Sequence, residues 1–151
     1  MLEDAVAGWK FQDFPDRVPE KQGWVYVLFV EHDGNSAPFY VGATSRILGR
    51  MDDYYWSMPS APTDFRVGMA IRRFRELGLR VTFHYHPFED RLAQEQVMIA
   101  RLRDGLKGSY GAELLLNHRC AYAAVKGDEA ALGRQIRDYC DEFHAFLSMS
   151  S

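Results

Sequence analysis

The stretch Trp24-Val25-Tyr26-Val27-Leu28-Phe29-Val30 constrains this chain more than any other. Its seven residues have the length of a strand, and all are β-branched, aromatic or aliphatic. A strand with one wet face alternates polar and apolar residues. This one does not, so both of its faces must be covered. The chain therefore needs a sheet with material packed on each side. Its 151 residues suit a single domain, or a domain with a small appendage. A chain of that size buries about 68–70% of its unfolded surface, enough for a core without staples. A composition of 47% hydrophobic, 14% aromatic and 26% charged residues excludes a disordered chain, a collagen-like chain and a disulfide scaffold. No apolar run approaches the ~20 residues of a membrane span. The acidic start Met1-Leu2-Glu3-Asp4 lacks the basic-then-apolar order of a secretory leader, so a cytoplasmic protein with no membrane partner is expected.

The rest of the chain supplies the covering layers. Residues 1–22 mix Trp9, Phe11 and Phe14 with acids and prolines, and read as a clasp without regular structure. Asp33-Gly34-Asn35-Ser36 is a turn, and Phe39-Tyr40-Val41-Gly42 returns as a second strand to complete a hairpin. Thr44 or Ser45 can cap a short helix with Ile47, Leu48, Met51, Tyr54 and Tyr55 on its apolar stripe. Residues 56–63 form a loop. Asp64 can cap a helix that ends at Gly78, and residues 80–88 form a third strand. A helix follows from Asp90 to about Asp104. Gly105, Gly108 and Gly111 then break the chain before the buried leucines 114–116, and a last amphipathic helix spans residues 128–147. The fold class is α+β (mixed α/β): a small three-stranded antiparallel sheet flanked by helices.

The net charge of −3 gives no pointer to nucleic acid. Its distribution does: residues 41–107 hold 11 Lys/Arg against 8 Asp/Glu, between acidic ends. Arg66, Arg72, Arg73, Arg75 and Arg80 crowd into this middle, as a solvated helix face or as a phosphate-facing strip. Cys120 and Cys140 read as reduced structural thiols. His84 and His86 share a strand face, but no further ligand spacing makes them a zinc site.

A few residues sit where packing alone would not put them. Glu95 projects into the stripe of Leu92, Ile99, Leu102 and Leu106, so it must be paired with an arginine or serve a metal or a proton. Arg50 borders the short helix's stripe, with Tyr54 one turn on. It either lays its stem over the core or lines a phosphate-gripping cleft. Tyr26 and Tyr40 lie on strands that pair, either as packing or as two hydroxyls on one face. Asn117 closes a run of leucines, as a turn former or a site residue.

In order, these residues resemble the GIY-YIG nuclease family. Trp24-Val25-Tyr26 and Tyr40-Val41-Gly42 stand for its paired tripeptides. Thr44, Arg50 and Tyr54 follow at the family's spacing, and Glu95 and Asn117 complete the pattern. The resemblance spans residues 23–117. It implies a nuclease domain over residues 23–119, with residues 1–22 packed on it and a helical extension over residues 120–151. It also implies a metal-dependent endonuclease that hydrolyses DNA to 5′-phosphate and 3′-hydroxyl ends. In that reading Glu95 holds Mg²⁺ or Mn²⁺ and Arg50 grips the scissile phosphate. Tyr26 acts as, or relays to, the general base, Tyr40 and Tyr54 position water and phosphate, and Asn117 braces the site. Contacts to DNA beyond that phosphate fall to Arg46, Arg72 and Arg73.

Two departures from the family pattern, Trp24 for the first glycine and Ala43 for a basic residue, join the net negative charge in favouring an alternative. In it the chain is a weak or inactive module that binds DNA or a protein partner. The absence of a DNA-reading appendage suggests low sequence preference, a recruiting protein or a homodimer.

Overall fold

The computed structural model describes residues 2–14, 23–56, 62–105, 114–119 and 129–149. Of the loop expected at residues 56–63, Trp56 instead ends one helix and Pro62 and Thr63 begin the next; residues 57–61, the breaks at Gly108 and Gly111, Leu106 and Cys120 lie outside the described residues.

Four antiparallel strands form one sheet: β1 (Lys10–Asp13), β2 (Trp24–His32), β3 (Asn35–Thr44) and β4 (Arg80–Pro87), in the order β1-β4-β2-β3. β2 is internal and buried on both sides, as its unbroken apolar run requires. Trp24, Tyr26, Leu28 and Val30 face one cluster, and Val25, Val27 and Phe29 face the other. The first cluster is closed by α1 (Ile47–Trp56), α2 (Pro62–Glu76) and α5 (Glu129–Met149), through Met51, Phe74 and Phe143 among others. The second is closed by Met98 and Leu102 of α3 (Arg91–Gly105) and by a 3₁₀ turn at Leu2–Val6. A four-residue turn, α4 (Leu116–Arg119), begins on the last of three buried leucines, Leu114–Leu116. None of the helices among the described residues is long and apolar enough to cross a membrane.

The mixed α+β class holds, but the sheet has four strands rather than three. The extra one, β1, lies in the segment expected to be irregular. Among the described residues it pairs only with β4, and Phe11 on it is 60% exposed and stacks on His84. Such a strand exists through its partner's edge and carries little pattern of its own.

The hairpin turn is also tighter than expected. Asp33 (φ 50°) and Gly34 (φ 82°) are both left-handed, so they close it alone, and Asn35 already pairs with His32. At the other end of α2, Gly78 (φ 80°) forms a Schellman cap: its N–H donates to Arg75 and that of Leu79 to Phe74. The start of α2 differs from expectation. The helix begins at Pro62, whose missing N–H is tolerated in a first turn, and Asp64 lies inside it.

One irregularity in β3 matters for the site. The register with β2 slips between Leu28 and Phe29, which pair with Tyr40 and Pro38 and leave Phe39 as an extra residue. Proline donates no ladder bond, and an edge strand tolerates it. The bulge lets both Phe39 and Tyr40 pack into the α1/α2/α5 cluster, where strict alternation would have turned one of them away.

Candidate active site

β3 is an edge strand, so alternate backbone groups along its outer side have no strand partner. Asn117 takes up one such pair. Its Nδ2 donates to the Val41 carbonyl (2.7 Å), and its Oδ1 accepts from the Val41 N–H (2.8 Å). Two residues on, the Ala43 N–H donates to the Glu95 carboxylate. Two of the singled-out residues thus pin the outer edge of β3 where it runs into α1.

On the other side of the same strand end, Tyr26 pairs in register with Gly42, and its ring lies directly over that glycine. A methyl group at Gly42 would strike the phenol, so only glycine fits. Beyond Gly42 the Tyr26 hydroxyl shares a short hydrogen bond with that of Tyr54. Tyr40 closes the group, with its ring centroid 6.4 Å from Tyr26 and 6.3 Å from Tyr54. Tyr26 and Tyr54 are buried, and loss of solvent holds both phenols well above their ordinary pKa. Both are neutral hydroxyls at neutral pH.

α1 brings Arg50 to this cluster. The Thr44 Oγ1 accepts from the Arg46 N–H (2.9 Å) and turns the chain into the helix. Arg50 Nη1 pairs with Asp64 at 2.8 Å and with Asp53 at 3.5 Å. Its charge acts on Tyr26, Tyr54 and Glu95. Glu95 is half-buried, and its carboxyl titrates above the ordinary range. Desolvation raises it, while hydrogen bonds from the Gln96 side chain and the Ala43 N–H, and the charge of Arg50, offset part of that rise. Tyr26 in turn feels both Arg50 and Glu95. The helix-borne acid, the arginine and the Tyr26–Tyr54 pair therefore lie near enough around the C-terminal end of β3 for their charges to act on one another.

An open cleft of about 240 Å³ adjoins them, lined by Thr44, Arg46, Arg50, Asp53, Arg91 and Leu92 among others. Three arginines against one aspartate make it a place for an anion. Among the described residues no group of three or more His, Cys, Asp or Glu side chains could cage a metal. A cation at Glu95, as the sequence reading expects, would have that carboxylate as its protein ligand and would take its other oxygens from water and substrate. That is the usual coordination of Mg²⁺.

Several sequence expectations need correction. Leu92 does not join the buried stripe of α3. It is 65% exposed on the cleft rim, while Met98 and Leu102 carry the packing, so Glu95 sits at the border of the buried face rather than in its middle. The arginine cluster does not form one strip. Arg66 is buried, Arg72 donates to the Tyr55 carbonyl, Arg73 pairs with Asp141 and Glu76, and Arg80 pairs with Asp13. Arg72 and Arg73 line a groove between α2 and α5, and only Arg46 of the three expected DNA contacts lines the cleft.

Arg91 and Asp53 went unnoticed in the sequence, and Asp64, expected as a helix cap, is instead a partner of Arg50. The spacing of Arg91, one turn before Glu95 on the same helix, was the available signal. No protein-family model, no curated protein and no solved structure matches this chain.

Proposed function

We propose that this chain is a GIY-YIG-type endonuclease that hydrolyses DNA phosphodiester bonds with one divalent cation, Mg²⁺ or Mn²⁺, leaving 5′-phosphate and 3′-hydroxyl ends. The observation that carries the reading is the meeting of Arg50, Glu95 and the Tyr26–Tyr54 pair beside an arginine-lined cleft. A phosphodiester is anionic and repels a hydroxide-like nucleophile, and its transition state gathers further charge on the phosphoryl oxygens. Such a site needs cations on more than one side of the phosphorus.

The roles follow from the chemistry of each group. Arg50 is held by two acids on the same nitrogen, Nη1, which fixes the guanidinium and leaves its remaining donors for non-bridging oxygens. Arg46 and Arg91 add charge along the cleft. Glu95 is raised in pKa by desolvation, so an approaching cation relieves a cost already present in the fold. Bound there, Mg²⁺ or Mn²⁺ would supply charge neutralisation at the phosphoryl oxygens and at the leaving 3′-oxygen. Tyr26 is a neutral phenol tied to Tyr54, so it orients the attacking water and relays a proton rather than waiting as a phenolate. Tyr40 borders that pair, and Asn117 and Gly42 hold the strand on which all of this rests.

A second reading, a binding module without cleavage, draws on the depth at which Tyr26 is buried and on the two acids that neutralise Arg50. Plasmid nicking separates the two. The purified protein should relax supercoiled DNA with Mg²⁺ or Mn²⁺ and not in EDTA. Glu95→Ala and Arg50→Ala should each abolish cutting with a cooperative melt retained. DNA binding in EDTA without metal-dependent cutting supports the second reading, and normal cutting by both variants overturns the assignment.

A further inference from the structure

A second basic surface lies outside the cleft. α2 and α5 enclose a groove of about 320 Å³ lined by Arg72, Arg73, Arg134 and Arg137, with Glu76 as the acid on its wall. Ala130 and Gly133 leave its α5 side low, and a Cβ built at Gly133 meets nothing within 4 Å. The four arginines do different jobs. Arg73 is tied to Asp141 and Glu76, and so clamps α2 to α5. Among the described residues Arg72, Arg134 and Arg137 have no ion pair. Three guanidinium groups without an acidic partner around an open trough give it a positive field that attracts an anion.

The surface continues from this groove onto exposed aromatic rings. Arg72 donates to the backbone carbonyl of Tyr55, which ties the groove to the end of α1. There Tyr55 is 58% and Trp56 67% exposed, packed edge to face with centroids 5.4 Å apart. Exposed rings beside arginines that lack an acidic partner are the two ingredients that bind unpaired nucleotides: rings stack bases, and guanidinium groups follow the phosphates. Bases held within a duplex offer no such face, so a fully paired ligand would use the arginines alone.

We propose that the Tyr55–Trp56 pair and the groove of Arg72, Arg134 and Arg137 form a binding surface for a single-stranded nucleic-acid segment. It is separate from the cleft beside Arg50 and Glu95. Within the nuclease reading this surface deepens substrate choice, favouring DNA with an unpaired stretch next to the bond that is cut. The binding itself stands apart from cleavage.

The test is fluorescence anisotropy of a labelled oligothymidine with the full chain in EDTA, so that cleavage plays no part. A duplex of equal length is the comparison, and salt is varied. The wild type should prefer the single strand. Arg134→Ala with Arg137→Ala should weaken it about tenfold or more and flatten the salt slope by about 1.4, at about 0.7 for each phosphate released. Trp56→Ala should weaken it roughly five- to 150-fold, the range of one lost base stack. Gly133→Glu puts an acid into the open trough and improves helix propensity, so it should weaken binding with the melt preserved.

Failure of the wild type to bind oligothymidine, a preference for duplex, or affinities within twofold of wild type in all three variants would each overturn the proposal. Loss of metal-dependent cutting while groove binding persists defeats only the nuclease reading. Metal-dependent cutting with no effect of the groove variants on oligothymidine binding defeats only this one.

Discussion

Replacing Gly42 with alanine should damage both the fold and the proposed chemistry. The new Cβ would lie 2.8 Å from Tyr26 Cε1 and closer still to Cζ and the hydroxyl oxygen. Carbon atoms rest about 3.5–4.0 Å apart, so the ring tip must retreat by about 1 Å or more. It has nowhere to go: Tyr26 is 1% exposed, stacked on Phe83 at 5.0 Å and boxed in by Tyr40 and Tyr54. Overpacking of this kind costs about 1–3 kcal/mol. Breaking the Tyr26–Tyr54 hydrogen bond adds about 0.5–1.5 kcal/mol. A total of about 2–4 kcal/mol corresponds to a fall of roughly 4–16 °C in Tm for a chain of this length. Under the proposed function cutting should drop about a hundredfold, because the phenol proposed to orient water has moved by about an ångström. Circular dichroism melts and plasmid nicking read the two effects. The control is Tyr26→Val, a good strand former. In that background there is no ring to strike, and Gly42→Ala should cost little. A Tm within about 2 °C of wild type, or an equal loss with and without the Tyr26 ring, would refute this reasoning.

Glu95→Gln should lower cutting by about a hundredfold or more, yet raise Tm at neutral pH. Burial lifts the Glu95 pKa above its ordinary 4.5, so its contribution to stability is full below that value and is lost as pH rises through the folded pKa. The gain from glutamine should therefore vanish in melts below about pH 4.5. Tyr54→Phe strands the buried Tyr26 hydroxyl and should cost about 1–3 kcal/mol in urea unfolding, whereas adding Tyr26→Phe should recover much of it. His84 is held down from 6.5 to about 4 by burial, against the opposing charge of Glu3 and with a smaller downward push from Arg80. Its neutral ring supports the fold above pH 6.5, and that support is lost as pH falls through about 4. His84→Phe should flatten the Tm-against-pH curve across that interval.

Much of the architecture was legible because it follows from local rules. The apolar run at residues 24–30 had to be an internal strand, and it is β2. Gly78 was marked as a helix end and carries the left-handed φ of one. What stayed hidden depends on partners far along the chain. β1 exists because β4 offers an edge, and its exposed Phe11 reads as surface. The bulge at Phe39 is a mismatch between two strands, visible in neither alone.

The site divides along the same line. Tyr26, Tyr40, Arg50, Tyr54, Glu95 and Asn117 each carried a weak signal, and it was their order and spacing that drew them together. Arg50's pairing with Asp64 arises only when α1 and α2 pack together. The arginines of residues 66–80 look like one strip in sequence but point to four surroundings, because helix and strand periods scatter them.

The most direct test of the cation-and-phosphate site is a crystal soaked with Mn²⁺ and examined by anomalous scattering. The expected result is a peak at the Glu95 carboxylate, with Arg50 and the Tyr26 hydroxyl facing it from α1 and β2, and its loss in Glu95→Gln crystals. A peak on other residues that survives the Glu95→Gln substitution would contradict the assignment.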